Sequence, residues 1–225
     1  MTHSDWEKLW HFTDTEDSSG DWLNVVPSFS LWIHLTSQKF IFSSRYRLGL
    51  PEYINPGPCP VPTCNIQMDI QGDHALACAS SSERISQHDR LWDTIHNIAS
   101  QAGLALHNEE QGLLDQSDHR LKYISIPFWT SGQDTALNIV VINPIQSNLL
   151  IKAASAPGAA AKHTSKAKLR QNYEDCCQIG VEFIPIAVKT WGGWHPRALT
   201  LIKKLSLQLA RHLGKEESEL HCHLW

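Results

Sequence analysis

The segment CPVPTCNIQMDIQGDHALAC, residues 59–78, sets Cys59, Cys64, His74 and Cys78 at the spacing C-x4-C-x9-H-x3-C. Three thiolates and one imidazole complete a tetrahedral shell for Zn²⁺ in a structural site. Pro60, Pro62 and Gly72 favour loop conformations, so a short stretch can wrap one ion without a core of its own. Two other arrangements stay open: a chance meeting of buried thiols, and replacement of His74 by His88. His88 falls on the inward stripe of the helix expected next, which favours core packing for it. His221, Cys222 and His223 lack a second pair of ligands and do not make a site.

A second candidate lies in DHRLKYISIPFWTSGQDTALNIVVINP, residues 118–144, which reads as two strands joined by the turn TSGQD. The second strand carries Asn138 among Leu137, Ile139, Val140 and Val141. Metal-dependent phosphodiester cleavage places carboxylates from adjacent strands around Mg²⁺, with a lysine close by. Paired strands followed by a lysine-rich helix supply that scaffold. The plain alternative is that Asn138 is a satisfied polar residue at a strand edge.

Around these residues the pattern predicts a helix ending at Gly49 and Pro51, a Pro/Cys/Gly-rich loop over 55–80, and a helix from Ser82 to Ala102. That helix repeats Ile85, Leu91, Trp92, Ile95, Ile98 and Ala99 at helical spacing and stops at Gly103. Strands follow at about 121–128 and 135–142, then a helix over about 158–178. VEFIPIAV, apolar on both parities, reads as a buried strand. Pro196 opens a last helix with Leu201, Ile202, Leu205, Leu209 and Leu213 on one face and Gly214 at its end. The order helix, strands, helix, strand, helix is an α/β layout with the sheet between helices.

The chain has 225 residues, 42% of them hydrophobic, enough to bury one core. Its formal charge of −4 excludes a protein that is basic throughout. Residues 135–173 nevertheless contain no Asp or Glu, and hold Lys152, Lys162, Lys166, Lys168 and Arg170. Such a basic run reads as a phosphate-contacting face or simply as a solvated helix surface. Acidic residues in the first thirty positions do not resemble a secretory or transit signal. No apolar run reaches the roughly 18 residues that span a bilayer. A soluble, intracellular protein is expected, with its six cysteines as thiols or metal ligands. Nine tryptophans raise base stacking as a possible use, but Trp22, Trp92 and Trp191 sit in apolar contexts that favour packing.

In order along the chain, GDWLNVVPS, RYRLGLP, the Cys-Cys-His-Cys knuckle with GDHALAC, RISQHDRLWDTI, NEEQGLL, the paired strands, SKAKLRQNYEDCCQIGVEFIPIAV and WGGW cover roughly residues 20–213. This succession resembles the C-terminal part of non-LTR retrotransposon polyproteins that use a restriction-like endonuclease of the PD-(D/E)XK type. The resemblance implies an N-terminal helical segment over 1–55, a zinc knuckle over 56–80, a restriction-endonuclease-like mixed sheet flanked by helices over 81–214, and a tail over 215–225. It implies Mg²⁺ as the family's catalytic metal, nucleic acid (DNA or RNA) as partner, and a nuclear location.

The family's first strand carries Arg-Pro-x-Asp and its second Asp-Val-x-Val, and a Lys with a following Tyr lies on the next helix. Here the corresponding residues are Arg120, Leu121, Lys122 and Tyr123, then Asn138, Ile139, Val140 and Val141. Lys168 and Tyr173 match the helix pair, with Lys166 as the alternative lysine. The resemblance therefore places Tyr123, Asn138 and Lys168 at the catalytic positions, with both metal-binding carboxylates replaced. Lys152, Lys162, Lys166 and Arg170 become candidate nucleic-acid contacts. Glu109, Glu110, Asp118 and Asp134 are the acids nearest in sequence, and Lys189 stands where the family tends to show an acid. These departures imply a degenerate copy with impaired or lost cleavage.

Overall fold

The computed structural model describes residues 20, 35–78, 80, 82–108, 123–130, 132–146, 148–190 and 192–215. The first helix, α1, is Ser37–Arg47; Thr36 caps it by accepting from Lys39 N at 3.3 Å, and Gly49, in the left-handed region, follows its end. The loop after it bends back through the knuckle, which contains the five-residue helix α2, Asp73–Ala77. Helix α3, Glu83–Gln101, then leads to a four-stranded sheet in the order β1-β2-β3-β4. The strands are β1, His107–Asn108; β2, Ile124–Thr130; β3, Gln133–Ile142; and β4, Glu182–Lys189.

The β1–β2 and β2–β3 pairs are antiparallel, while β3 and β4 are parallel. A parallel neighbour needs a crossover, provided here by the short α4, Leu150–Ala153, and the long α5, Ala159–Gln178. The last helix is α6, Pro196–Leu213, with proline in its first turn and Gly214 as a left-handed cap. The result is a mixed α/β fold with helices on both faces of a mixed sheet.

Both faces of β3 and β4 are buried, and VEFIPIAV accordingly shows no alternation. On one face Ile124, Ile126, Leu137, Ile139, Ile184 and Ile186 pack against Ile95 and Ala99 of α3 and Ala198, Leu201 and Leu205 of α6. On the other, Ala136, Ile142, Phe183 and Ala187 lie under α5 and its neighbours, with Ala160, Ala161 and Cys176 as contacts. Pro185 is tolerated because β4 is an edge strand, where a missing N–H breaks no ladder on the outer side.

Three expectations change in detail. Ile85 is exposed rather than part of the inner stripe of α3, and Leu213 is half-exposed at the end of α6. His88 is only partly buried and meets Asp89 Oδ1 at 3.2 Å instead of lying in the core. Trp92 packs on the core and stacks on His96, while Trp22 and Trp191 lie outside the described residues.

The β2–β3 hairpin is irregular near its tip. The register runs from Ile124↔Leu137 through Ile126↔Thr135 and then shifts, so that Thr130 pairs with Gln133. Phe128 takes up the bulge with φ of 53°, a left-handed value that costs a non-glycine residue energy. The Asp134 carboxylate holds this turn by accepting from Phe128 N at 3.0 Å.

Candidate metal centre and the adjoining sheet face

The knuckle is built by a small turn and a short helix. Cys59 N donates to Ile66 O, Met68 N donates to Gly57 O, and Pro58 bridges Gln67, so residues 57–68 form a narrow hairpin that presents Cys59 and Cys64. Gly72, with φ of 84°, turns the chain into α2, which carries His74, and Cys78 follows as its C-cap. The four ligand atoms converge, all lying within 4.8 Å of one another.

The individual separations test the fit. Cys59 Sγ and Cys78 Sγ are 3.8 Å apart, and Cys64 Sγ and His74 Nε2 are 3.4 Å apart. Around zinc, with Zn–S near 2.3 Å and Zn–N near 2.0–2.1 Å, tetrahedral edges are about 3.8 Å for S to S and about 3.6 Å for S to N. A Cys₃His donor set at these edges suits a closed structural Zn²⁺ site. His74, not His88, completes the cluster.

The knuckle is anchored to the rest of the fold. Tyr46 of α1 donates its hydroxyl to Asp73 Oδ1 at 2.9 Å and is buried beside Ile142, Ala160, Ala161 and Ala187. Leu76 of α2 packs on the same cluster. Burial pushes the Asp73 carboxyl up to about 6, against the opposing effect of the Tyr46 bond and with a further push from Asp69.

The sheet face under α5 holds the catalytic positions implied by the resemblance. Continuing the β2–β3 register one residue beyond Ile124↔Leu137 sets Tyr123 opposite Asn138. Both are almost fully buried, at 5% exposure each, and Tyr123 packs with Ala136, Cys176 and Phe183. Lys168 lies partly buried on α5, and its carbonyl accepts from Asn172 Nδ2 at 2.8 Å. Tyr173 points away from the sheet and is exposed, as is Lys166. Buried Lys189 shares the Asn138 face, at the far end of β4.

Of the four acids nearest in sequence, only Asp134 falls among the described residues. Asp134 sits four residues up β3 and is engaged by Phe128 N at the hairpin tip. Glu109, Glu110, Asp118, Arg120, Leu121 and Lys122 lie outside the described residues, as do His221, Cys222 and His223.

The basic residues form an outward stripe. Lys162, Lys166 and Arg170 recur every fourth residue along α5 and are exposed, and exposed Lys152 of α4 meets His163 Nε2 beside them. His195, unremarked in the sequence, caps α6 by accepting from Arg197 N through Nδ1 at 3.2 Å. Burial, then the charges of Arg197 and Lys162, hold its imidazole below the usual histidine range. A histidine cap is hard to foresee, since Ser, Thr, Asp and Asn dominate that position.

No family model, no curated protein and no solved structure matches the chain. Among the described residues, no helix is long and apolar enough to cross a membrane.

Proposed function

We propose that this chain is a zinc-stabilised nucleic-acid-binding protein built on a restriction-endonuclease-like fold of the kind found in non-LTR retrotransposon polyproteins, and that it no longer cleaves. The observation that carries this reading is the meeting of Tyr123 and Asn138 across two adjacent strands beneath α5. Those are the strand positions at which the resemblance implies metal-binding acids, and the fold brings them to one spot.

The chemistry of that spot opposes catalysis. Mg²⁺ keeps several waters and reaches substrate phosphates, so its site must be open to solvent and carry charged oxygens. A phenol and an amide, both buried, supply neither. What remains for function is the exposed stripe of Lys152, Lys162, Lys166 and Arg170, which suits phosphate contacts without bond breaking. The zinc knuckle contributes the folded platform, and the nucleus is the expected place of action.

The test is incubation of the purified protein with supercoiled plasmid in Mg²⁺ or Mn²⁺, alongside binding of labelled DNA and RNA at increasing salt. The expected result is salt-sensitive binding with no nicking. Nicking that disappears in Lys168→Ala overturns the loss of cleavage. Absence of both binding and nicking overturns the binding role and leaves an inert fragment.

A further inference from the structure

Helix α2 has five residues, too few to be stable alone in water, yet it carries His74 and leads directly into Cys78. Half of the zinc ligands therefore depend on something else holding this turn. Its N-terminal N–H groups need acceptors, and the N-cap, Gly72, has no side chain to offer one. Asp69 reaches forward to supply both: Oδ1 accepts from Asp73 N at 2.8 Å and Oδ2 from His74 N at 2.6 Å. One carboxylate thus fixes the backbone of the ligand residue itself.

A second constraint comes from the preceding helix. The Tyr46 hydroxyl holds Asp73 Oδ1, and Glu52 N and Tyr53 N donate to Ile70 O at 2.7 and 3.1 Å. The Tyr53 ring closes on Gly72, where an added Cβ would stand 3.4 Å from it. Tyr46 is anchored in turn in the cluster containing Ile142 of β3 and Ala187 of β4.

We propose that Asp69 is the positioning residue of the metal centre and that Tyr46 ties the centre to the sheet, so that zinc affinity is set by side chains outside the ligand set. This rests on the zinc reading above. Outer-sphere hydrogen bonds of this sort typically change metal affinity by about 10–100-fold. Asn at position 69 retains only one acceptor oxygen for two N–H groups and turns an amide N–H against the other.

The experiment measures Zn²⁺ affinity of the full chain by competition with a chromophoric chelator, and the absorption of the Co²⁺-loaded protein, for the parent, Asp69→Asn, Tyr46→Phe and the control Lys203→Ala on the exposed side of α6. Thermal melts are recorded with zinc and with excess chelator. Expected are one Zn²⁺ per chain in the parent, a loss of about 10–100-fold in Asp69→Asn with an unchanged Co²⁺ spectrum, and a loss of about fivefold in Tyr46→Phe. Lys203→Ala stays at the parent value. The melt of Asp69→Asn falls with zinc present and matches the parent in chelator. A parent that binds no zinc overturns the metal reading itself. A parent that binds zinc with Asp69→Asn within about twofold of it overturns only the role of Asp69, as does an equal fall of both melts. Parent-like affinity in Tyr46→Phe removes the tie to the sheet.

Discussion

Tyr123 faces Asn138 across the β2–β3 pair, one step beyond the Ile124↔Leu137 match, and both side chains are buried under α5. In an antiparallel pair such neighbours on one face lie close enough to share a ligand. Placing acids at both positions is therefore a direct test of the proposed metal-site assignment. The Tyr123→Asp/Asn138→Asp variant should fold with lower stability, because two carboxylates would be desolvated and opposed to one another. Burial raises their pKa values above those of the unfolded chain, so the loss grows as pH rises through and above the unfolded carboxylate range. Millimolar Mg²⁺ or Mn²⁺ should recover part of the melting temperature in the double variant and not in the parent. Plasmid nicking by the double variant alone would make the natural chain a disabled nuclease. A double variant whose melting ignores both metals would remove the metal-site assignment.

The register behind this relationship was beyond the reach of the sequence, although the strands were not. Counting back from the hairpin end, where Thr130 pairs with Gln133, would set Tyr123 opposite Val140. The bulge around Phe128 moves the partner to Asn138. Helices α3 and α6 were legible because apolar spacing agrees with the Gly103 and Gly214 stops, and α5 as the basic run that opens after Gly158. Strand β1 was not, since two residues carry no period. The Cys₃His cluster was readable from spacing alone, whereas Asp69 was not: its partners are backbone N–H groups that come together only when α2 forms.

The cap of α6 predicts a pH effect. His195 Nδ1 must be unprotonated to accept from Arg197 N, and burial together with Arg197 and Lys162 lowers its pKa in the folded state. A lowered folded pKa means that the unfolded chain takes up the proton first. The cap's contribution is thus complete above the unfolded histidine value of about 6.5 and is lost as pH falls below it. His195→Asn, which keeps a cap acceptor without titrating in this range, should flatten that part of the stability profile. Urea melts between pH 5 and pH 8 check this, and parallel profiles for the two proteins would exclude it.

Gly103 follows α3 with φ of 73°, and a Cβ there would stand 2.6 Å from Cε1 of His212 on α6. Gly103→Ala combines left-handed strain with displacement of the histidine. The backbone part alone should cost about 1–2 kcal/mol, lowering Tm by roughly 2–8 °C. Adding His212→Ala should relieve the steric part while leaving the backbone part. If the double variant melts no higher than Gly103→Ala, the contact between the end of α3 and α6 is not the cause.

The basic stripe gives the most direct reading of function. Lys152, Lys162, Lys166 and Arg170 are exposed, whereas Lys168 is partly buried. If the four exposed residues each neutralise one phosphate, the slope of log affinity against log salt should be about −3.6 on duplex DNA and about −2.8 on single strands. Removing one charge, as in Lys166→Ala, should weaken binding to every sequence alike and make the slope shallower by about one unit. Lys168→Ala should change the slope less than Lys166→Ala does, because Lys168 is partly buried while Lys166 is exposed. Fluorescence anisotropy between 50 and 200 mM salt, roughly the range over which counterion release is readily measured, separates the cases. A slope near zero in the parent would reduce the stripe to a solvated helix surface. A slope change in Lys168→Ala equal to that in Lys166→Ala would extend the contact surface to the partly buried Lys168.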